Sequence, residues 1–375
     1  MNPFTRRDFL KTTGLVGAAL LADASLTLAQ AQSRRESGKI RGVNLGGWLV
    51  LEKWITPTLF AGETAEDEYT FTLALGKAKA AKVLQHHRET WITADDFKWL
   101  AKHGINSVRL PVGYWVAEEN PPFIRGLETM DWAFRTAKAN GLTVLLDLHG
   151  VPGSQNGWDH SGRQGALGWH TSKENIAHSL RVLEDLAIRC KAYDNLLGIE
   201  LVNEPRKDVP LAILKDYYQE GYQRVRRHLG KECAAVFIHD AFRPLAWADF
   251  MREPDFGNVI LDAHLYQCFS DEDNHRDLNS HLEVAAVEHR TQLDEMQKQL
   301  PCIVGEWSLG LPPKAVQGLD RFATDAAMRA YGAAQLVSYE RTRGWYFWAY
   351  RTEENGGWNF RDCVQRGWLP DNYGV

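Results

Sequence analysis

Eight short apolar runs rich in β-branched residues recur along the chain, with helix signals between several of them. They lie at 41–45, 107–112, 143–149, 197–204, 235–239, 258–264, 302–306 and 344–348. None alternates strictly between apolar and polar, so each reads as a strand covered on both faces, as in a parallel sheet. Thr93-Ala94-Asp95-Asp96 starts a helix with a cap and an acidic first turn, and Lys102-His103-Gly104 closes it with a basic last turn and a glycine. The segment from Leu127 to Asn140, closed by Gly141, repeats the plan. Little regular pattern lies beyond Trp348, so the eighth helix is weak. Eight strands with intervening helices predict an α/β fold, a single (β/α)8 TIM barrel. An open doubly wound sheet would need only six strands, and no G-x-G-x-x-G comes after the first run.

The N-terminus reads as an export signal. Arg6-Arg7 is followed by Phe9-Leu10-Lys11, then by an apolar stretch from Leu15 to Leu28 and the small-x-small site Ala29-Gln30-Ala31. The stretch is short and rich in small residues, unlike a membrane span. We read residues 1–31 as a twin-arginine signal peptide, handled by the twin-arginine export machinery. The mature chain is expected to begin near Gln32 and to work in a bacterial periplasm or outside the cell. No linker or low-complexity tract interrupts the rest of the chain, so residues 32–375 are expected to form one domain, working as a monomer.

Composition narrows the partners. A net charge of -5 on 375 residues leaves no cationic excess for a nucleic-acid backbone. Five cysteines, an odd number without metal-ligand spacing, read as buried apolar thiols. No metal cluster or phosphate loop is visible, and no cofactor is expected.

The chemistry is carried by polar residues where apolar runs end. Arg109 interrupts the second run, His149 ends the third, Asn203 and Glu204 end the fourth, and His264 and Tyr266 end the sixth. Glu306 and Trp348 end the last two. In a (β/α)8 barrel all C-terminal strand ends meet at one mouth, so residues spread from position 109 to 348 converge on one pocket. Glu204 and Glu306 read as the only acidic residues directly at run ends. Two carboxyl groups in one pocket, one protonated and one ionised, are what glycosidic-bond cleavage requires. Glu204 is then the general acid/base and Glu306 the nucleophile. Asn203 is suited to a sugar 2-hydroxyl, while Arg109 and Tyr266 are suited to hold Glu306 ionised and oriented. Taken singly these residues are ordinary: a lone histidine is more often structural, and Trp348 could be core. Their joint placement is what singles them out.

Longer motifs carry a family resemblance. They are Arg41-Gly42-Val43-Asn44-Leu45-Gly46-Gly47-Trp48, Asp67-Glu68-Tyr69-Thr70, Asp147-Leu148-His149-Gly150, Pro152-Gly153-Ser154-Gln155-Asn156-Gly157, Asn203-Glu204-Pro205, His264-Leu265-Tyr266-Gln267, Gly305-Glu306-Trp307-Ser308 and Gly344-Trp345-Tyr346-Phe347-Trp348. In these the chain resembles glycoside hydrolase family 5, and more closely its exo-β-1,3-glucanase branch, from Arg41 to about Phe360. The resemblance implies release of glucose from non-reducing ends of β-1,3-glucan with retention. It implies Arg109, His149, Asn203, Glu204, His264, Tyr266, Glu306 and Trp348 as the active-site set, with Glu52 as a ligand of the terminal glucose. It also places Trp158 and Phe269 where the branch has an aromatic clamp, with Trp where Phe is expected. That change, and the departing stretch Leu309-Gly310-Leu311-Pro312-Pro313, leave β-1,6- or mixed-linkage glucan, or transglycosylation, as alternatives. A non-catalytic carbohydrate-binding protein is the remote alternative.

Overall fold

The computed structural model describes residues 38–374. The twin-arginine segment and the proposed start at Gln32 lie outside the described residues. Eight parallel strands close into a barrel in chain order: β1 (Ile40–Asn44), β2 (Ser107–Gly113), β3 (Thr143–Gly150), β4 (Leu196–Glu200), β5 (Ala235–His239), β6 (Val259–His264), β7 (Cys302–Trp307) and β8 (Gly344–Phe347). β1 pairs with both β2 and β8, which completes the ring. This is a (β/α)8 TIM barrel.

The helices Ala94–Lys102 and Leu127–Ala139 fall where the cap and glycine signals place them. At the first, Thr93 and Asp96 form a reciprocal capping box. One expectation needs correction. The interval between β5 and β6 has no helix among the described residues, and its chain is covered by turns instead. The interval after β8, which carries little pattern, ends in a short helix, Phe360–Gln365, capped by the Asn359 side chain on Asp362 N.

Successive side chains of a barrel strand alternate between the interior and the helix layer. Leu145, Phe237, Ile260, Ile303 and Tyr346 form a small apolar cluster distinct from the large core beneath the helices. Two residues further along three of those strands come Asp147, His239 and Asp262, all fully buried. One more step brings His149 and His264. The barrel interior is therefore apolar in one layer and polar towards the C-terminal mouth. Cys190, Cys302 and Cys363 are buried, but Cys268 is partly exposed and Cys233 is exposed, against the expectation that all five are buried.

One irregularity places the site. β6 and β7 pair in step from Leu261↔Cys302 to Ala263↔Val304, and then His264 pairs with Glu306. Gly305 is the extra residue, a β-bulge that re-aims the next side chain. Its N–H donates to Asp262 Oδ1 at 2.6 Å, and a Cβ there would lie 2.0 Å from Asp262 Oδ2. Only glycine lets the strand pass so close to that carboxylate.

Candidate active site

Arg109 is the centre from which the site is built. Its guanidinium is fully buried and uses all three nitrogens. Nε donates to Glu200 Oε2 (2.8 Å), Nη1 to Asn44 Oδ1 and Glu306 Oε1 (2.9 Å each), and Nη2 to Asn203 Oδ1 (2.8 Å). Asp147 Oδ2 lies 3.1 Å from Nη2. One buried cation thus serves three carboxyl groups from β3, β4 and β7. Such a group is tolerable inside a fold only because its charge and its hydrogen-bonding positions are met.

A second chain of contacts fixes the histidines. Burial lowers the His149 pKa, so the ring is neutral. Its Nδ1 lies 2.6 Å from Asp147 Oδ2, and its Nε2 faces Asn203 Nδ2 at 3.4 Å. With Nδ1–H donating to the carboxylate, Nε2 is left as acceptor for the amide. The ring stacks on Trp348 with centroids 5.4 Å apart and planes 7° from parallel. His264 is also held neutral by burial, and its Nδ1 lies 2.7 Å from Glu204 Oε1 and 3.4 Å from Glu306 Oε2.

That shared nitrogen bounds the spacing of the two glutamates. The two distances laid end to end keep those oxygens within about 6.1 Å, short of the roughly 6.5–9.5 Å of inverting pairs, and admit the 5–5.5 Å of retaining pairs. Tyr266 Oη donates to Glu306 Oε2 at 2.9 Å. Burial raises the pKa of both glutamates. For Glu204 the next cause is the Glu306 charge, which raises it further. For Glu306 the Arg109 guanidinium and the Tyr266 hydroxyl act the other way. The Arg109 cation and the Tyr266 hydroxyl thus favour the ionised form of Glu306, while burial and the Glu306 charge favour the protonated form of Glu204.

Both groups open into a cavity of about 720 Å³ at the barrel mouth. Of the residues singled out in the sequence, Glu52, His149, Trp158, Glu204, Tyr266, Phe269, Glu306 and Trp348 line it. Arg109, Asn203 and His264 stand behind that lining. Glu52 is buried and accepts from Trp54 Nε1 at 3.0 Å, and burial followed by the nearby Asp159 raises its pKa well above the usual range. Phe269 is exposed at the rim and packs with Tyr266 and Trp358, whereas Trp158 packs with His160 and Phe242.

Three details of the strand-end reading are corrected. β4 ends at Glu200, and Asn203 and Glu204 lie beyond it in a turn where Glu204 has φ 42°. Left-handed backbone in a residue with a Cβ is strained, and here it turns the side chain away from the strand direction. Glu200 itself ends a strand, so Glu204 and Glu306 are not the only acids so placed. Tyr266 and Trp348 also lie just past β6 and β8, not within them.

Residues that the strand-end pattern does not single out complete the site: Trp54, Asp159, His160, Phe242 and Trp358 in the lining, and Asp147, Glu200 and Asp262 beneath it. For Asp147 and Asp262 a signal existed. Each stands two residues before a selected histidine, hence on the same face of its strand. The five lining residues sit in loops without periodicity, and nothing local marks them.

Among the described residues, Glu204, His239 and His264, or Glu200, Asp262 and His264, could bring three ligand atoms within 4.8 Å of one another. Arg109 already supplies the positive charge beside these groups, which opposes a metal cation there.

A (β/α)8 barrel whose mouth brings one close pair of carboxyl groups, Glu204 and Glu306, into an aromatic-lined cavity is the architecture of a retaining glycoside hydrolase. The chain belongs to glycosyl hydrolase family 5: that family's cellulase model matches residues 73–353. It is an O-glycosyl hydrolase. A twin-arginine translocation pathway signal sequence matches residues 3–22, which marks the chain for export by that machinery. A glucan 1,3-beta-glucosidase of Blumeria graminis is 38% identical, the match spanning 94% of this chain and 93% of the relative. A probable glucan 1,3-beta-glucosidase A of Emericella nidulans is 37% identical over 94% and 95%. The crystal structure of rutinosidase from Aspergillus niger shares the fold, with a TM-score of 0.75 and 22% identity over 88% of this chain and 98% of that one.

Proposed function

We propose that the protein is an exo-acting β-1,3-glucosidase that releases glucose from the non-reducing ends of β-glucan with retention. The observation that carries this reading is the pair Glu204 and Glu306, both within 3.4 Å of His264 Nδ1. Glu306, beside Arg109, attacks the anomeric carbon while Glu204 passes its proton to the leaving oxygen. A covalent glucosyl–Glu306 ester results. In the second step Glu204, now ionised, takes a proton from water as the water oxygen attacks the anomeric carbon and frees Glu306. Arg109 and the Tyr266 hydroxyl hold the nucleophile's charge and orientation through both steps.

The relatives named glucan 1,3-beta-glucosidases support the linkage. Glu52 and the stacked His149–Trp348 pair suit the terminal glucose, and Trp158 and Phe269 suit the next sugar as flat faces near the rim. Trp358 beside Phe269 also favours a sugar acceptor in place of water, so transglycosylation and cleavage of β-1,6 or mixed linkages form the second reading. The working unit is residues 32–375 as a monomer, after removal of 1–31.

The test is a product profile on β-1,3-, β-1,6- and β-1,4-linked glucans, with proton NMR of the first product. Glucose in the β-anomer from laminari-oligosaccharides is expected. The α-anomer first would mean inversion, and larger oligosaccharides first would mean endo action.

A further inference from the structure

His160 stands against Glu204 on the side opposite His264. Glu204 Oε1 lies 2.7 Å from His264 Nδ1, and Glu204 Oε2 lies 3.4 Å from His160 Nε2. Each oxygen of this carboxyl group therefore meets one imidazole. Resting on the acid/base reading of Glu204, we propose that His160 is a positioning residue that holds the acid proton on Oε2, the oxygen His264 does not engage.

The loop that carries His160 is built into the site. Residues 154–162 come after β3 and are tied to the turn bearing Glu204. Asn156 Nδ2 donates to the Glu204 carbonyl (3.3 Å), and Asn156 Oδ1 accepts from Trp158 N (2.9 Å). Gln155 Nε2 donates to the carbonyls of His149 (2.7 Å) and Asn203 (2.8 Å). Ser161 Oγ contacts Ser154 Oγ and donates to the Trp158 carbonyl, both at 2.7 Å. The loop thus fixes His160 in the same frame as the glutamate, not on a free arm.

The surroundings set the protonation. The groups facing Glu204 are Glu306, Arg109, Asp147, Asp240, His264, His160 and Glu52. Those facing His160 besides Glu204 are His149, Arg109 and the adjoining Asp159. Burial and then the two neighbouring basic groups push the His160 pKa well below its ordinary value, so the ring is neutral. A neutral imidazole offers one acceptor nitrogen. With His264 Nδ1–H donating to Oε1, the carboxyl proton belongs on Oε2, where His160 Nε2 can accept it. In the first chemical step the Oε2–H bond breaks and the proton goes to the leaving oxygen, whose bond to the anomeric carbon breaks as Glu306 attacks.

The experiment compares laminaribiose, whose leaving sugar must be protonated, with 2,4-dinitrophenyl β-glucoside, whose leaving group departs as an anion. His160→Ala should lower the kcat/KM ratio of the first to the second by about tenfold or more. It should also move the alkaline limb of the laminaribiose profile to lower pH, because an acceptor for the protonated acid is gone. His160→Gln, which keeps an acceptor at similar reach, should recover part of the ratio. Equal losses on both substrates, or an unmoved alkaline limb, would overturn the proposal as mere packing. Glu204→Ala separates the two layers. An unchanged substrate ratio there overturns the acid/base reading and this proposal with it. A changed ratio there, with none in His160→Ala, overturns the proposal alone.

Discussion

Arg109 and Glu306, 197 residues apart in sequence, form a buried ion pair with Nη1 2.9 Å from Oε1. The same guanidinium also serves Glu200 and Asp147, so one cation ties three strands together and favours the ionised form of Glu306. Arg109→Lys keeps one positive charge but cannot reach three carboxyl groups with a planar fork. It should destabilise the protein by about 3–5 kcal/mol, because buried carboxylates lose their partner. Denaturant unfolding measures this, and a loss under about 1 kcal/mol would contradict the assignment.

The two glutamates should fail in different ways. Glu306→Gln should lower turnover by at least about 10³-fold on every substrate while oligosaccharide binding persists. Glu204→Ala should cost about 10²–10⁴-fold where the leaving group needs a proton. Added azide should rescue that variant and yield a β-glucosyl azide. Rescue giving the α-azide would instead place the nucleophile at Glu204.

Tyr266 offers a pH test. Its hydroxyl bond lowers the pKa of Glu306 against the rise caused by burial. Tyr266→Phe should therefore shift the acid limb of kcat/KM to higher pH, since Glu306 must be ionised to attack. A limb that stays in place would show that the hydroxyl does not set the nucleophile's charge.

Stability should fall between about pH 4 and pH 8. Burial raises Glu68 from 4.5 to about 7 and Asp240 from 3.8 to about 7. Each binds its proton more tightly folded than unfolded. The stabilisation is complete below the ordinary carboxylate values and is lost as pH rises through about 7. Melting temperature across this range should decline, and Asp240→Asn should flatten the decline. A profile that rises towards pH 8 would contradict the assignment.

Gly305→Ala tests the bulge. The added Cβ would meet Asp262 Oδ2 at 2.0 Å, so either the carboxylate or Glu306 must move. Lower stability and lower kcat are expected together, and an alanine variant with wild-type kcat would show that the bulge does not place Glu306.

Much of the fold was legible in one dimension. Strand positions and the barrel emerge from apolar runs and helix punctuation, because those are local signals repeated eight times. Glu306 and His264 could be selected because they close such runs. Glu204 was selected because it closes the fourth apolar run, yet β4 itself ends four residues earlier and Glu204 sits beyond it with left-handed backbone.

What the sequence alone determined is the barrel, with Glu204 and Glu306 as the candidate pair at its mouth. The tertiary structure decided what surrounds each of them: Arg109 lies beside Glu306 and an imidazole beside Glu204, contacts across 197 and 60 residues. It also decided that His160, Trp54 and Trp358 reach the cavity. Loop conformation is set by distant partners, such as the two carbonyls bridged by Gln155, and no local periodicity encodes those.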